Sequence, residues 1–531
     1  MILLFCTRSS PLYPFNNWDD VNSYFSMGKG MMNGMVPYRD LFDQKGILLY
    51  FLYGLCYLVS HTSFIGAFVL EIAAAALHLW AVLKISLLLA GRAQKAGRTA
   101  DHDVPGDSGR MICYFLLPLY GACVYSTRCM WYGGSAEELM LPLFAWGLWL
   151  LFRVLDPGEA EIGRCIFIAG LLAGCVLHIK FNSLGFFFGW MAAVFFCRLR
   201  RDGILKSLLH CLIFLGGMGA ATLPWLLYFL FHHAVRDWFR VTIWLNLFVY
   251  SEKLPLAERI YTVAKTLYTH FLDNPAAFVP AALGLLWFLL SRRMRASEKI
   301  AVVSTGAFLT LGIFIGGVSL PYYPLPLTVY ALFAIPAAAG VTDVLTGLPG
   351  VLSGNPGVLR RKETEGSACN APDKEDVAVR SGRERVIRCL PAAVVIILLS
   401  AAAIARFSMN MSYLGTAEAD VWQFRFRDDI EASGIEDPTL LNMNCFDAGL
   451  YCLADIVPSC YFFQTQTIHL DDVYLSQREN LRRGDTDFVL AREWYPNGID
   501  EHYVEIDSAT ADYFGEEEHF YLFMRKDPAG Q

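Results

Sequence analysis

Apolar runs long enough to cross a bilayer recur along this chain, and no other feature restricts its fold so sharply. A spanning helix needs ~20 mainly apolar residues, because backbone N–H and C=O groups find no water in the hydrocarbon core and must bond within the segment. Such runs are Phe64–Ala90, Met111–Thr127, Ala136–Phe152, Arg164–Lys180, Leu184–Cys197, Ser207–Phe231, Ala276–Ser291, Ile300–Val318, Pro324–Asp343 and Cys389–Arg406. With 531 residues, 55% of them hydrophobic and only 18% charged, the chain reads as an α-helical polytopic membrane protein.

Charge then orients the body. Between alternate spans lie short basic loops, "GRAQKAGR" (Gly91–Arg98), "RLRRDGILK" (Arg198–Lys206) and "SRRMRASEK" (Ser291–Lys299), and a longer segment holding Arg360–Lys362 and Arg380–Arg388. The positive-inside rule makes these cytoplasmic. The opposite set is then extracytoplasmic: the stretch before Phe64, the Arg128–Gly134 turn, the Lys180–Ser183 turn, the long loop His232–Pro275, the turn "SLPYYPLP" (Ser319–Pro326) and everything after Arg406. The tail agrees, because residues 407–531 carry 24 acids and 8 bases, a net of −16 that leaves +9 on the remainder.

The expected organisation is an external N-terminal loop with interfacial helices (1–63), a transmembrane body (64–343), a cytoplasmic linker (344–388), a last span (389–406) and an extracytoplasmic domain (407–531). Strand-like segments at Thr439–Asn444, Asp487–Trp494, His502–Asp507 and His519–Lys526, set between Gly, Asp and Pro breaks, make that domain a small α/β unit. Of its three cysteines, Cys445, Cys452 and Cys460, two could pair, and the sequence does not choose. "MILLFC" is too short to span and lacks the charged start and cleavage site of a signal peptide. Because the loop after it belongs outside, the reading expects either a further span before Met1 or an interfacial placement of these six residues.

The charged stretch from Phe15 to Gly54 carries the chemistry. Asp19 and Asp20 precede a helical pattern, while Arg39, Asp40, Asp43 and Lys45 follow the turn "GMVPY" and lead into "GILLYFLYGLCYLVS" (Gly46–Ser60), which is too short for a crossing and reads as interfacial or re-entrant. An acid able to accept a proton and cations able to meet a phosphate are thereby held near headgroup level.

"WDDVNSY" (Trp18–Tyr24) followed by "DQKGILLYFLYG" (Asp43–Gly54) resembles the first external loop of the GT-C superfamily of polyprenyl-phosphate-sugar glycosyltransferases, such as the bacterial aminoarabinose transferases and the protein O-mannosyltransferases. Gly46 and Ile47 stand where the commoner motif has two prolines. "GGSAEELMLP" (Gly133–Pro142), with Glu138, is similar to that superfamily's acidic external motif, and Tyr322 and Tyr323 sit in the place of its aromatic late turn. The resemblance implies a GT-C-like body of about ten or eleven transmembrane helices. It also implies transfer of a sugar from a polyprenyl-phosphate donor to an envelope glycan, lipid or protein acceptor at the outer face of the cell membrane. In that reaction Asp19 takes the acceptor proton as general base, with Asp20 beside it as the other candidate, and the configuration inverts. Lys45, helped by Arg39 or Lys29, stabilises the departing phosphate. Glu138, Tyr322 and Tyr323 contact substrate. No cofactor is implied; dependence on a divalent metal stays open, since members differ and no ligand spacing is visible. The net acidity argues against nucleic acid as a partner.

Plainer roles compete. Asn17, Asp19 or Asp20 could cap the following helix, the cations could meet lipid headgroups, Glu137 and Glu138 could favour a helix dipole, and the tyrosines could belong to an aromatic belt. A transporter or lipid flippase would line its path with Glu71, Glu138 and Lys180. A catalytically dead scaffold would bind a partner through the tail.

Overall fold

The computed structural model describes residues 1–94, 107–249, 255–314, 316–317, 319–340, 374–466, 468, 470–513 and 516–526. The basic run Arg360–Lys362 and most of the expected linker lie outside the described residues.

Helices form where the apolar runs predict them. A short α1 (Ile2–Cys6) is followed by α2 (Asp19–Met32) and α3 (Ile47–Val59), which pack as a hairpin; then come α4 (Ile65–Gln94), α5 (Asp107–Tyr125), α6 (Ala136–Val154) and α7 (Ile162–Leu177). The helix α8 (Gly185–Phe231) has two arms rather than one rod. Trp190 and Phe214 stack with ring centroids 5.9 Å apart, whereas a straight helix would part them by about 36 Å. The reversal falls at Gly203, whose φ of 77° and ψ of 168° only glycine adopts without strain. The separate spans expected before and after the loop Arg198–Lys206 are therefore these two arms.

The segment His232–Pro275, expected as a loop, is largely helical. It contains α9 (Val235–Phe239), a π-turn (Arg240–Leu245), α10 (Asn246–Phe248) and α11 (Leu256–Asp273). On α11, Ile260, Tyr261, Tyr268 and Leu272 are exposed along one face, the pattern of a helix lying in a membrane interface. A 110° bend at Asn274 joins it to α12 (Pro275–Leu290), and α13 (Ala296–Phe314) follows. By length and composition, Ile65–Arg92, Phe181–Phe231 and Ala296–Phe314 can cross a membrane, and Ile47–Val59, Gly109–Tyr125, Ile162–Leu177, Leu325–Gly340 and Pro391–Phe407 are shorter apolar helices.

The alternation of loops is realised as two ends of the body. At one end Arg92 pairs with Glu298 and Asp156, Arg295 reaches Asp156, and Arg198 donates to the Val154 carbonyl. At the other, the N-terminal stretch, the start of α6, the α7–α8 turn and the turn before Leu325 meet one another.

The C-terminal domain holds a four-stranded sheet of β1 (Leu440–Met443), β2 (Phe488–Arg492), β3 (Tyr503–Tyr513) and β4 (Glu516–Arg525) in the order β1-β2-β4-β3. β1 and β2 are parallel and the other pairings antiparallel. The parallel pair requires a crossover, supplied in part by the helix Asp471–Arg483. Cys445, Cys452 and Cys460 are all buried free thiols.

This domain docks on α2. Ser23 donates to Gln464 at 2.7 Å, Ser26 bonds to Asp447, and Lys29 donates to the Tyr451 carbonyl at 2.7 Å and pairs with Asp455 at 2.8 Å. Positions 19, 22, 23, 26 and 29 share one face of a 3.6-residue helix, so α2 turns a polar stripe to the domain and its other face to the membrane body.

Candidate active site

Helical geometry separates the two neighbouring aspartates. Asp19 falls on the stripe facing the C-terminal domain, where it lines a small recess with Trp422, Cys445 and Asp512, and its Oδ1 accepts the Asp20 N–H at 2.8 Å. Asp20, about 100° round the helix, points to the body. The N-cap of α2 is Trp18, which makes no side-chain bond.

Asp20 stands at the centre of a charged cluster. Its Oδ1 lies 3.7 Å from Lys45 Nζ, and its Oδ2 accepts the Tyr322 hydroxyl at 2.7 Å. Lys180 pairs with Glu137 and lies over the rings of Tyr323 and Tyr322, at 3.9 and 5.4 Å from their centroids. Trp18 packs against Tyr322 at 4.8 Å. Burial pushes Asp20 up, but Lys45, the Tyr322 hydroxyl, Lys180 and Tyr24 outweigh it, and the carboxyl lies below its ordinary range.

The loop that presents Lys45 is held from both sides. Tyr50 donates to Asp43 Oδ2 at 2.7 Å and accepts from the Lys45 N–H at 2.8 Å, while Tyr38 donates to the Lys45 carbonyl at 2.7 Å. Burial pushes Asp43 up, with the Asp20 charge adding to it against Lys45 and Tyr50. Gly46 explains the departure from a proline at this position: a Cβ there would lie 2.0 Å from the His178 carbonyl oxygen, and the Gly46 N–H donates to the Ile179 carbonyl at 3.1 Å. Proline can offer neither that approach nor that donor.

A cavity of about 710 Å³ opens beside the cluster. Lys45 and Lys180 line it together with Trp238, Phe239, Ile243 and Ile313, so two cations meet an otherwise largely apolar wall. That combination suits a ligand with an anionic head and a hydrocarbon tail.

The remaining expected residues lie elsewhere. Lys29 is fully buried in the junction with the C-terminal domain. Arg39 is 40% exposed, pairs with Asp40 and donates to the His232 carbonyl. Glu138 accepts the Gly134 N–H at 2.9 Å, beside the buried Glu71, at a helix start capped by Ser135. Its neighbour Glu137 reaches the cluster instead. Lys180, Glu137 and Tyr24 join Asp20, Lys45 and Tyr322 there; the sequence signal for Lys180 and Glu137 was two opposite charges at the facing ends of neighbouring predicted spans. Among the described residues no three His, Cys, Asp or Glu side chains converge as a metal site.

No family model matches the sequence, and no curated protein matches it. The fold itself is shared with solved structures of ArnT. ArnT from Cupriavidus metallidurans bound to undecaprenyl phosphate superposes with a TM-score of 0.56 at 13% identity, over 98% of this chain and 96% of that one. Its apo structure superposes over the same shares with a TM-score of 0.54 at 13% identity.

Proposed function

We propose that this chain is a membrane glycosyltransferase that moves a sugar from a polyprenyl-phosphate donor to an acceptor hydroxyl at the outer face of the membrane. The observation that carries the reading is that Lys45 and Lys180 line a largely apolar cavity, with Lys45 directly beside the carboxylate of Asp20. A solved protein of the same fold binds undecaprenyl phosphate, a ligand with the phosphate and the tail that such a cavity suits.

The acceptor oxygen attacks the anomeric carbon as the bond from that carbon to the phosphate oxygen breaks, and the bonding pair leaves with the lipid phosphate. Lys45 and Lys180 stabilise the charge building on that phosphate, in a site where little water competes. The acceptor proton passes to Asp20, and one displacement inverts the configuration. In the absence of donor the same cations hold Asp20 below its ordinary range; once they turn to the phosphate, Asp20 becomes the stronger base. Asp20 is favoured over Asp19 because it alone of the two faces Lys45. The acceptor is a glycan, lipid or protein of the envelope.

A transporter path is less well supported: Lys180 lines the cavity, whereas Glu71 and Glu138 do not. The test is release of polyprenyl phosphate from a labelled lipid-linked sugar by purified protein in lipid nanodiscs. Transbilayer movement of the intact donor without cleavage would sink the transferase reading.

A further inference from the structure

A second pocket, of about 430 Å³, lies at the seam between the segment before α2, the Thr62–Ile65 turn and the helix Trp422–Ala432 of the C-terminal domain. It shares no lining residue with the cavity that holds Lys45 and Lys180. Its chemistry is also different. Arg8 and Arg427 are balanced by Glu418 and Glu431, and Asn16 and Thr62 add neutral polar groups beside the rings of Phe15 and Phe424.

Arg8 is the most constrained of these. It is 2% exposed, its guanidinium is sandwiched between Tyr132 and Tyr413 with both centroids at 3.4 Å, and its Nε donates to Asn410 at 3.1 Å. Its Nη1 bonds to Asn17, while its buried Nη2 has no hydrogen-bond partner. Clamped in this way, Arg8 forms a fixed part of the pocket wall and contributes its charge to it. Two cations cancelled by two acids offer no net attraction to a phosphate, which draws an excess of cations as in the first cavity. They do match a polyhydroxyl ligand, whose groups donate to carboxylates and accept from guanidinium, with aromatic edges alongside its C–H faces.

We propose that this pocket is an accessory subsite for uncharged carbohydrate, holding a part of the acceptor glycan away from its reactive hydroxyl. As an acceptor subsite it rests on the transferase reading. The distance is suitable, since the four residues from Asn16 to Asp20 place their Cα atoms at most about 14 Å apart, a reach that a short oligosaccharide covers.

The experiment is donor-free titration of full-length protein in nanodiscs with uncharged hexose oligomers and with the same oligomers phosphorylated, followed by saturation-transfer NMR. Thr62→Trp fills the pocket from an exposed turn, and Arg427→Ala removes one wall donor. The expected result is saturable binding of the uncharged oligomers, weakened about tenfold or more by either substitution, with affinity for polyprenyl phosphate and the thermal midpoint unchanged. Absence of saturable binding, preference for the phosphorylated oligomers, or indifference to both substitutions overturns the proposal. Binding that persists in protein shown to lack donor turnover supports the pocket and strikes only the transferase reading.

Discussion

Asp20 and Lys45 face one another across 3.7 Å from two different segments, α2 and the loop before α3, with only 20% and 13% of their side-chain surfaces exposed. Neither is saturated by the other: the second oxygen of Asp20 takes the Tyr322 hydroxyl, and Lys45 borders the large cavity. The pair is therefore poised to separate when a phosphate arrives.

Asp20→Asn keeps the size of the side chain and its bond to Tyr322 while removing the base. Transfer should fall by roughly 10²–10⁴-fold, the usual range for a positioned proton acceptor. Asp19→Asn should stay within a few fold of wild type. Steady-state transfer rates on folded protein check both, and a collapse of Asp19→Asn alongside normal Asp20→Asn would reverse the assignment.

Lys45→Ala and Lys180→Ala should each weaken binding of polyprenyl phosphate by about tenfold or more, since each removes a charge-assisted contact in a poorly hydrated site. Lys180→Ala also leaves Glu137 buried without its cation, so Tm should fall in that variant; Glu137→Gln combined with it should restore part of the loss. Isothermal titration with the lipid phosphate and a thermal scan separate the two effects.

Lys29→Met removes a buried ammonium that ties α2 to the Tyr451 carbonyl and to Asp455. The expected cost is about 1–3 kcal/mol of stability at the junction, read as a lower Tm, with the KM for donor unchanged. A raised KM at normal Tm would instead place Lys29 in contact with substrate.

Burial pushes the Asp447 carboxyl, which bonds to Ser26 and the Gly449 N–H, up to about 6 from 3.8. The folded protein therefore binds this proton more tightly than the unfolded chain. Its contribution to stability is fullest below the lower value, declines as pH rises through the window between them, and is absent above it, a change of roughly 3 kcal/mol. Asp447→Asn should flatten the dependence of Tm on pH across that window. A slope unchanged by the substitution would show that other groups set it.

Much of the fold was legible because its causes are local. Apolar runs bounded by basic loops marked the helices, and short apolar or alternating segments between Gly, Asp and Pro breaks marked the four strands of the C-terminal domain. The segment Leu256–Asp273 reads as loop in the sequence yet folds as a helix, because its apolar residues are spread round an amphipathic period rather than run together. The separation of Asp19 from Asp20 was within reach of the sequence too, since Asp19, Ser23 and Ser26 repeat at helical spacing and form a polar stripe that a partner must cover.

By itself the sequence determined that the chain is a multi-helix membrane protein with an acidic α/β tail, and that charge gathers beside α2 and α3, because bilayer solvation and helical periodicity act on contiguous residues. Only the tertiary structure decided that Lys180 and Tyr322 join Asp20 and Lys45, that Glu137 rather than Glu138 reaches them, and that Lys29 serves the domain junction. Those outcomes depend on how far each helix is rotated about its axis when it packs, and one residue of difference turns a side chain by about 100°, from a reactive cavity into a buried seam.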